Sequence, residues 1–113
     1  MSKPESASAA ANPTTTPGDS AHNIPLSLID FCTMYPGEST AATMRRSVDF
    51  ARSAEKLGFA RIWYAEHHNM PQIASSVPSL IMAHVGAHTE TIRLGAGGVM
   101  LPNHAPYSIA EQY

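Results

Sequence analysis

From residue 25 onward, short apolar segments alternate with longer segments in which apolar residues recur every three or four positions. Short apolar runs bounded by turn residues predict strands, whereas the longer periodicity predicts helices that bury one face. We therefore expect strands at residues 26–31, 61–65 and 92–96. Pro25 suits the start of the first strand, because a proline there removes no central ladder hydrogen bond.

Each predicted strand is followed by a segment with helical signals. Ser39 or Thr40 can cap the first helix, and Gly58 suits the left-handed position just past its end. The apolar stripe of this helix, facing the sheet, comprises Met44, Val48, Ala51, Ala54 and Leu57. A second helix is expected from near residue 76, with Pro78 in its first turn, to about residue 88. Pro106 opens a third helix that runs to residue 113.

This order predicts an α/β fold with a parallel sheet, because short connections between alternating strands and helices form crossover units. Parallel sheets bury both faces or close into a barrel, and three strands do neither. An eight-fold β/α barrel takes about 250 residues, so we expect residues 25–113 to hold its first three β/α units, incomplete and with an open edge. Residues 1–24, rich in Ala, Ser, Thr and Pro, are expected to be a disordered tail.

Composition excludes several classes of protein. The net charge of -2 and the absence of clustered Lys and Arg argue against nucleic acid and anionic membranes as partners. No apolar run reaches the roughly 18–20 residues of a membrane span. Cys32 is the single cysteine, which fits a reducing compartment and a buried thiol. We therefore expect a soluble, cytoplasmic protein.

Titratable side chains follow directly after the second strand, at Glu66, His67 and His68. Strand residues alternate between faces, so only one of the two imidazoles can easily face a pocket. A histidine there can exchange protons near neutrality, and a neighbouring carboxylate can hold its orientation. The alternative is that all three are solvated residues that cap the strand.

Two further patterns, one of histidines and one of glycines, bear on metal or phosphate binding. His84 and His88 are four residues apart on a helix, but a hydrolytic zinc helix needs a glutamate where this chain has Val85, and His104 stands alone. We therefore predict no metal site. The glycines at residues 95–98 lack the spacing of a phosphate loop. They offer either bare backbone for a flat ligand or a β-bulge that needs no ligand.

Three segments together, residues 57–68, 92–102 and 106–112, resemble the N-terminal portion of the bacterial luciferase-like flavin monooxygenases. The resemblance covers residues 26–113 and implies a (β/α)8 TIM barrel. It also implies reduced FMN, or in some branches the deazaflavin F420, with activation of molecular oxygen. The organic substrate would be a small molecule, and a flavin reductase is an expected partner.

The resemblance assigns roles to particular residues. His67 matches the family's active-site histidine, with Glu66 and His68 as its supports. Ala96, Gly97, Gly98 and Val99 would form the floor beneath the flavin ring, with a cis peptide expected in relatives at the position of Gly97–Gly98. In relatives most phosphate contacts lie beyond residue 113, and Arg93, in mid-strand, is a poor substitute.

Two other functions remain open from the sequence. The first is a truncated, non-catalytic fragment whose open sheet edge pairs with another copy or with a complementary fragment. A metal-dependent barrel hydrolase is the third interpretation, and it would require bound metal.

Overall fold

The computed structural model describes residues 24–113 and contains three strands and three α-helices in strict alternation. The elements are β1 (Ser27–Asp30), α1 (Thr40–Lys56), β2 (Arg61–Tyr64), α2 (Pro78–Gly86), β3 (Arg93–Ala96) and α3 (Pro106–Gln112). All strands are parallel and lie in chain order. The predicted parallel α/β fold of three β/α units is confirmed. The predicted tail falls outside the described residues, apart from Ile24.

Helix α1 begins and ends where its sequence signals predict. The Ser39 hydroxyl accepts a hydrogen bond from the Ala42 amide at 3.2 Å, and Gly58 takes the left-handed conformation with φ of 80°. Val48, Ala51 and Ala54 are buried. Leu57 was expected in the same stripe, but its side chain is 76% exposed because it lies at the C-cap, past the last helical turn.

Each strand is one or two residues shorter than predicted, and the structure differs further at α2 and in the loop after β3. Helix α2 starts at Pro78, with Val77 as its N-cap, and ends at Gly86 rather than near residue 88. A single 3₁₀ turn, Leu101–Asn103, lies between β3 and α3, where only a loop was expected. Hydrogen bonds from the amide of Asn103 to Met100 O (2.9 Å) and from that of His104 to Leu101 O (3.1 Å) close this turn. This turn brings His104 close to the carboxyl end of β2.

The two faces of the sheet have different environments. Ile62 and Tyr64 are fully buried against the apolar faces of α1 and α2. On the opposite face, which we call the open face, Ile29, Trp63 and Gly95 lie side by side in register. Ile29 and Phe31 are 45% and 40% exposed there. The core therefore covers one side of the sheet, and the open face remains the accessible one among the described residues.

The indole of Trp63 explains why β3 contains glycine. A β-carbon added at Gly95 would lie 2.6 Å from two atoms of the Trp63 ring, and one at Gly97 would lie 3.0 Å from the Trp63 β-carbon. No side chain fits at Gly95 unless the indole moves. The guanidinium of Arg61 stacks on the same ring, 4.6 Å from its centroid.

A buried polar cluster fixes the turn after β1. Asp30 accepts hydrogen bonds from the Ser47 hydroxyl at 2.6 Å and from the Cys32 amide at 2.8 Å, which stabilises Cys32 at a φ of 50°. Cys32 is buried, as predicted, and this burial, followed by the charge of Asp30, raises the pKa of its thiol to about 12. The thiol is therefore a packing group and not a nucleophile.

The start of β3 is anchored by the carboxylate of Glu55 at the end of α1. Its Oε1 atom accepts hydrogen bonds from the amides of Glu90, Thr91 and Ile92 at 2.9, 2.5 and 2.8 Å. These bonds, of which the one from the Thr91 amide has the largest effect, lower the pKa of Glu55 to about 2.

None of the helices within residues 24–113 is long and apolar enough to cross a membrane.

Candidate functional site

The carboxyl ends of β2 and β3 stay paired beyond the last residues of the two strands. The Gly97 amide donates to Tyr64 O at 2.7 Å, and the Glu66 amide donates to Gly98 O at 3.0 Å. This pairing places the Gly97–Gly98 peptide directly beside Glu66. The peptide bond between the two glycines is cis.

His67 lies on the open face, one residue after Glu66, whose amide pairs with Gly98. Its ring contacts Phe31, with the two centroids 5.5 Å apart and the planes tilted by 53°. Its amide donates to Ser75 O at 2.8 Å, which ties the following loop to the strand end. Its Nε2 atom is buried and has no hydrogen-bond partner among residues 24–113. Of the two adjacent imidazoles, His67 is therefore the one directed toward the open face.

Glu66 lies on the other side of the strand, and its side chain is only 1% exposed. Its Oε1 atom accepts hydrogen bonds from His68 Nε2 at 2.6 Å and from His104 Nε2 at 2.8 Å. Its Oε2 atom accepts from the Met100 amide at 2.8 Å. The interpretation of Glu66 as a solvated strand cap is therefore wrong.

These contacts determine whether the carboxyl group of Glu66 is ionised. Burial raises the pKa of the carboxyl group, but hydrogen bonds from His68, the Met100 amide and His104 outweigh it and lower the pKa to about 2. A carboxylate with this pKa stays ionised at neutral pH. It acts as a fixed acceptor that orients its neighbours and is a poor proton donor.

Sequence reasoning missed His104, which it treated as an isolated residue. The chain brings it to Glu66, 38 residues away, by means of the 3₁₀ turn after β3. No local spacing signals this contact. The only hint is that His104 follows the strand next to β2, and loops after adjacent parallel strands meet at one edge of the sheet.

The four predicted floor residues do not share one environment. Ala96 is aligned with Tyr64, on the side that faces the helices. Val99 lines a small cavity together with Glu66, His68 and His104. Gly97 borders Trp63, and only Gly98 has no atom within 4 Å of the place where a β-carbon would project. Free space beside bare backbone is therefore concentrated at Gly98.

His84 on α2 and His88, two residues beyond the end of that helix, lie away from these residues. The rings of His84 and His88 are 5.0 Å apart, and Nδ1 of His88 is already within 2.7 Å of the His84 carbonyl oxygen. Within residues 24–113, no three His, Cys, Asp or Glu side chains are arranged to hold a metal ion.

Comparison with known proteins gives a consistent result. The family model described as luciferase-like monooxygenase matches residues 27–113. The chain is similar to a luciferase-like monooxygenase of Escherichia coli strain K12, with 49% identity over 90 residues. The match covers 80% of this chain and 27% of that protein, so the chain spans about a quarter of the length of this relative.

Solved structures show the same similarity. The structure of apo-MsnO8 matches with a TM-score of 0.76 and 34% identity, over 80% of this chain and 27% of that one. The oxygenating constituent of 3,6-diketocamphane monooxygenase from Pseudomonas putida, solved in complex with FMN, matches with a TM-score of 0.71. That match has 24% identity, covers 78% of this chain and 24% of that one, and shows the fold alone.

Proposed function

Because the chain belongs to the luciferase-like monooxygenase family, we propose that residues 24–113 form the part of a flavin-dependent monooxygenase that contacts the flavin ring. One observation carries this proposal: His67 lies on the open face, one residue after the Glu66 amide that pairs with Gly98, and its Nε2 atom has no hydrogen-bond partner among residues 24–113. A buried polar atom without a partner is uncommon in native proteins, and such an atom favours a catalytic or ligand-binding role for its side chain.

The residues of this face fit a flat, mostly apolar ring. Phe31 and the His67 ring provide an aromatic wall, and Gly98 leaves its backbone uncovered. When bound, a reduced flavin supplies the electrons that activate molecular oxygen. In this site, His67 would be the catalytic residue that holds or moves a proton at Nε2, while Glu66 and His68 keep the strand end in place.

Trp63 modifies the predicted floor. The floor assigned to Ala96, Gly97, Gly98 and Val99 reduces to the backbone at Gly97–Gly98, because Ala96 faces the helices and Val99 lines a separate cavity. The Trp63 indole occupies the space over the neighbouring Gly95. We expect the ring of the cofactor to meet Trp63 at one edge and Gly98 at the other. Aromatic contact at that edge would add to the binding energy of the ring.

Reduced FMN is the cofactor we favour, with F420 as the alternative. The P. putida protein of similar fold is solved with FMN. A small organic molecule would be the substrate, and a flavin reductase would supply the reduced cofactor. The buried thiol of Cys32 fits a reducing compartment such as the cytoplasm.

A titration of the 113-residue chain with FMN, riboflavin and F420, followed by flavin fluorescence, tests this function. We expect saturable binding of FMN and riboflavin with equal affinity, because the open-face residues named above contact the ring and not the phosphate. His67→Ala should weaken binding, and His84→Ala, on the far surface of α2, should not. No binding at millimolar flavin would contradict the proposal.

Self-association without flavin is the second candidate function. Ile29 and Phe31 are exposed on the open face, and β1 and β3 each have one edge without a strand partner among residues 24–113. Unpaired edges and apolar faces favour pairing with a second copy or with a complementary fragment. Light scattering separates the two candidates, because a monodisperse oligomer that does not bind flavin would favour this second function.

A further inference from the structure

We propose that His104 is a positioning residue, which acts through Glu66 to hold the loop after β3 in the shape that presents the Gly97–Gly98 peptide to a ligand. The inference rests on the proposed function for the identity of that ligand. The geometry of the loop itself is independent of it.

Three hydrogen bonds connect Glu66 to the loop after β3. The backbone amide of Glu66 donates to Gly98 O at 3.0 Å, and its Oε2 atom accepts from the Met100 amide at 2.8 Å. Its Oε1 atom accepts from His104 Nε2 at 2.8 Å. Glu66 therefore holds the loop at three points, of which His104 is the most distant from β3.

The loop has no other comparable attachment. Between residues 98 and 105, every hydrogen bond to a distant part of the described chain goes to Glu66. The remaining bonds are internal, such as those that close the 3₁₀ turn. The exposure of the loop is otherwise high, and Met100 and Leu101 are 46% and 62% exposed. The position of Gly98 therefore depends on how firmly the Glu66 carboxylate is itself oriented.

His104 is the less solvated of the two imidazoles that orient this carboxylate. The side chains of His68 and His104 are 46% and 34% exposed, and both bind the same oxygen atom. Without His104, only the more exposed His68 would orient Oε1, and the 3₁₀ turn would lose its link to β2. An ionised carboxylate accepts only, so His104 must carry its proton on Nε2 when it is neutral.

The proposal is tested by NMR on the 113-residue chain and on His104→Ala, His104→Gln and His88→Ala. His104→Ala should shift the amide resonances of Gly98 and Met100 and weaken flavin binding about fivefold, the usual effect of one hydrogen bond. His104→Gln retains an N–H donor and should restore both values. His88→Ala, outside the loop, should change neither.

Two results would overturn the proposal. One is a His104→Ala variant in which the Gly98 and Met100 amide resonances stay unchanged, and the other is a wild-type His104 whose neutral ring carries its proton on Nδ1. The tautomer is read from ring nitrogen shifts in the wild-type chain and needs no variant to fold. Neither readout requires flavin, so a wild-type chain that fails to bind flavin would contradict the proposed function and leave the role of His104 to be decided by these two measurements.

Discussion

Glu66→Ala is expected to lower the free energy of unfolding by about 1.5–3 kcal/mol, the range for hydrogen bonds to a charged group. The substitution leaves the Met100 amide without its acceptor and removes the group that binds both His68 and His104. Because single domains are stable by only about 5–15 kcal/mol, this loss is a large share of the total. Urea unfolding followed by circular dichroism measures it.

The matched control is Glu111→Ala on α3, where the carboxylate is exposed and makes no hydrogen bond or ion pair among residues 24–113. Such surface substitutions change stability by about 0.5 kcal/mol or less. An equal effect of Glu66→Ala and Glu111→Ala would show that the Glu66 cluster contributes nothing to the fold.

The pH dependence of this effect has a definite sign. The pKa of Glu66 falls from 4.5 to about 2 on folding, so its carboxylate contributes stability that is fully present above pH 4.5 and is lost as the pH falls toward 2. Comparison with Glu66→Gln isolates this contribution. The stability difference between the two proteins should narrow as the pH falls from 4.5 toward 2.

Tyr64→Ala is the second substitution with a large expected effect, about 3–5 kcal/mol of unfolding free energy, as for other large aromatic residues in cores. Tyr64 is fully buried on the helix-facing side of β2, where it fills the space between the sheet and α1. Burial and the nearby charge of Asp30 raise the pKa of its hydroxyl group, so the ring stays neutral.

Tyr64→Phe separates packing from hydrogen bonding. The hydroxyl lies 3.4 Å from the Ser47 oxygen, which is longer than a normal O–H···O hydrogen bond, so its removal should cost about 0.5 kcal/mol or less. Thermal unfolding of the two variants gives the comparison. If Tyr64→Phe is as unstable as Tyr64→Ala, the polar cluster around Asp30 and Ser47 stabilises this region, and the volume of the ring does not.

The order of elements was predictable because it depends on local chemistry. Ser39 and Gly58 delimit α1 by capping and by a left-handed turn, and Pro78 and Pro106 open α2 and α3. Leu57 was assigned wrongly because the helical period continues through it, while the backbone leaves the helix one residue earlier.

Only part of the site was predictable from the sequence, because only part of it depends on local backbone geometry. Strand alternation separates His67 from Glu66 correctly, since it follows from backbone geometry alone. The burial of Glu66 and its contact with His104 depend on how the loop after β3 folds, and no spacing in the sequence encodes that contact. The position of Trp63 over Gly95 is also a cross-strand contact, which depends on the register of β2 and β3.

A flavin ring is expected to bind to the open face, where His67 and Gly98 lie. Adding FMN to the isotope-labelled chain and mapping the NMR shifts tests this expectation. We predict saturable shifts at Phe31, His67, Gly97 and Gly98. Flavin binding at the open face would be contradicted by the absence of a saturable shift there, or by shifts confined to the pocket that Arg52 of α1 and His84 of α2 line.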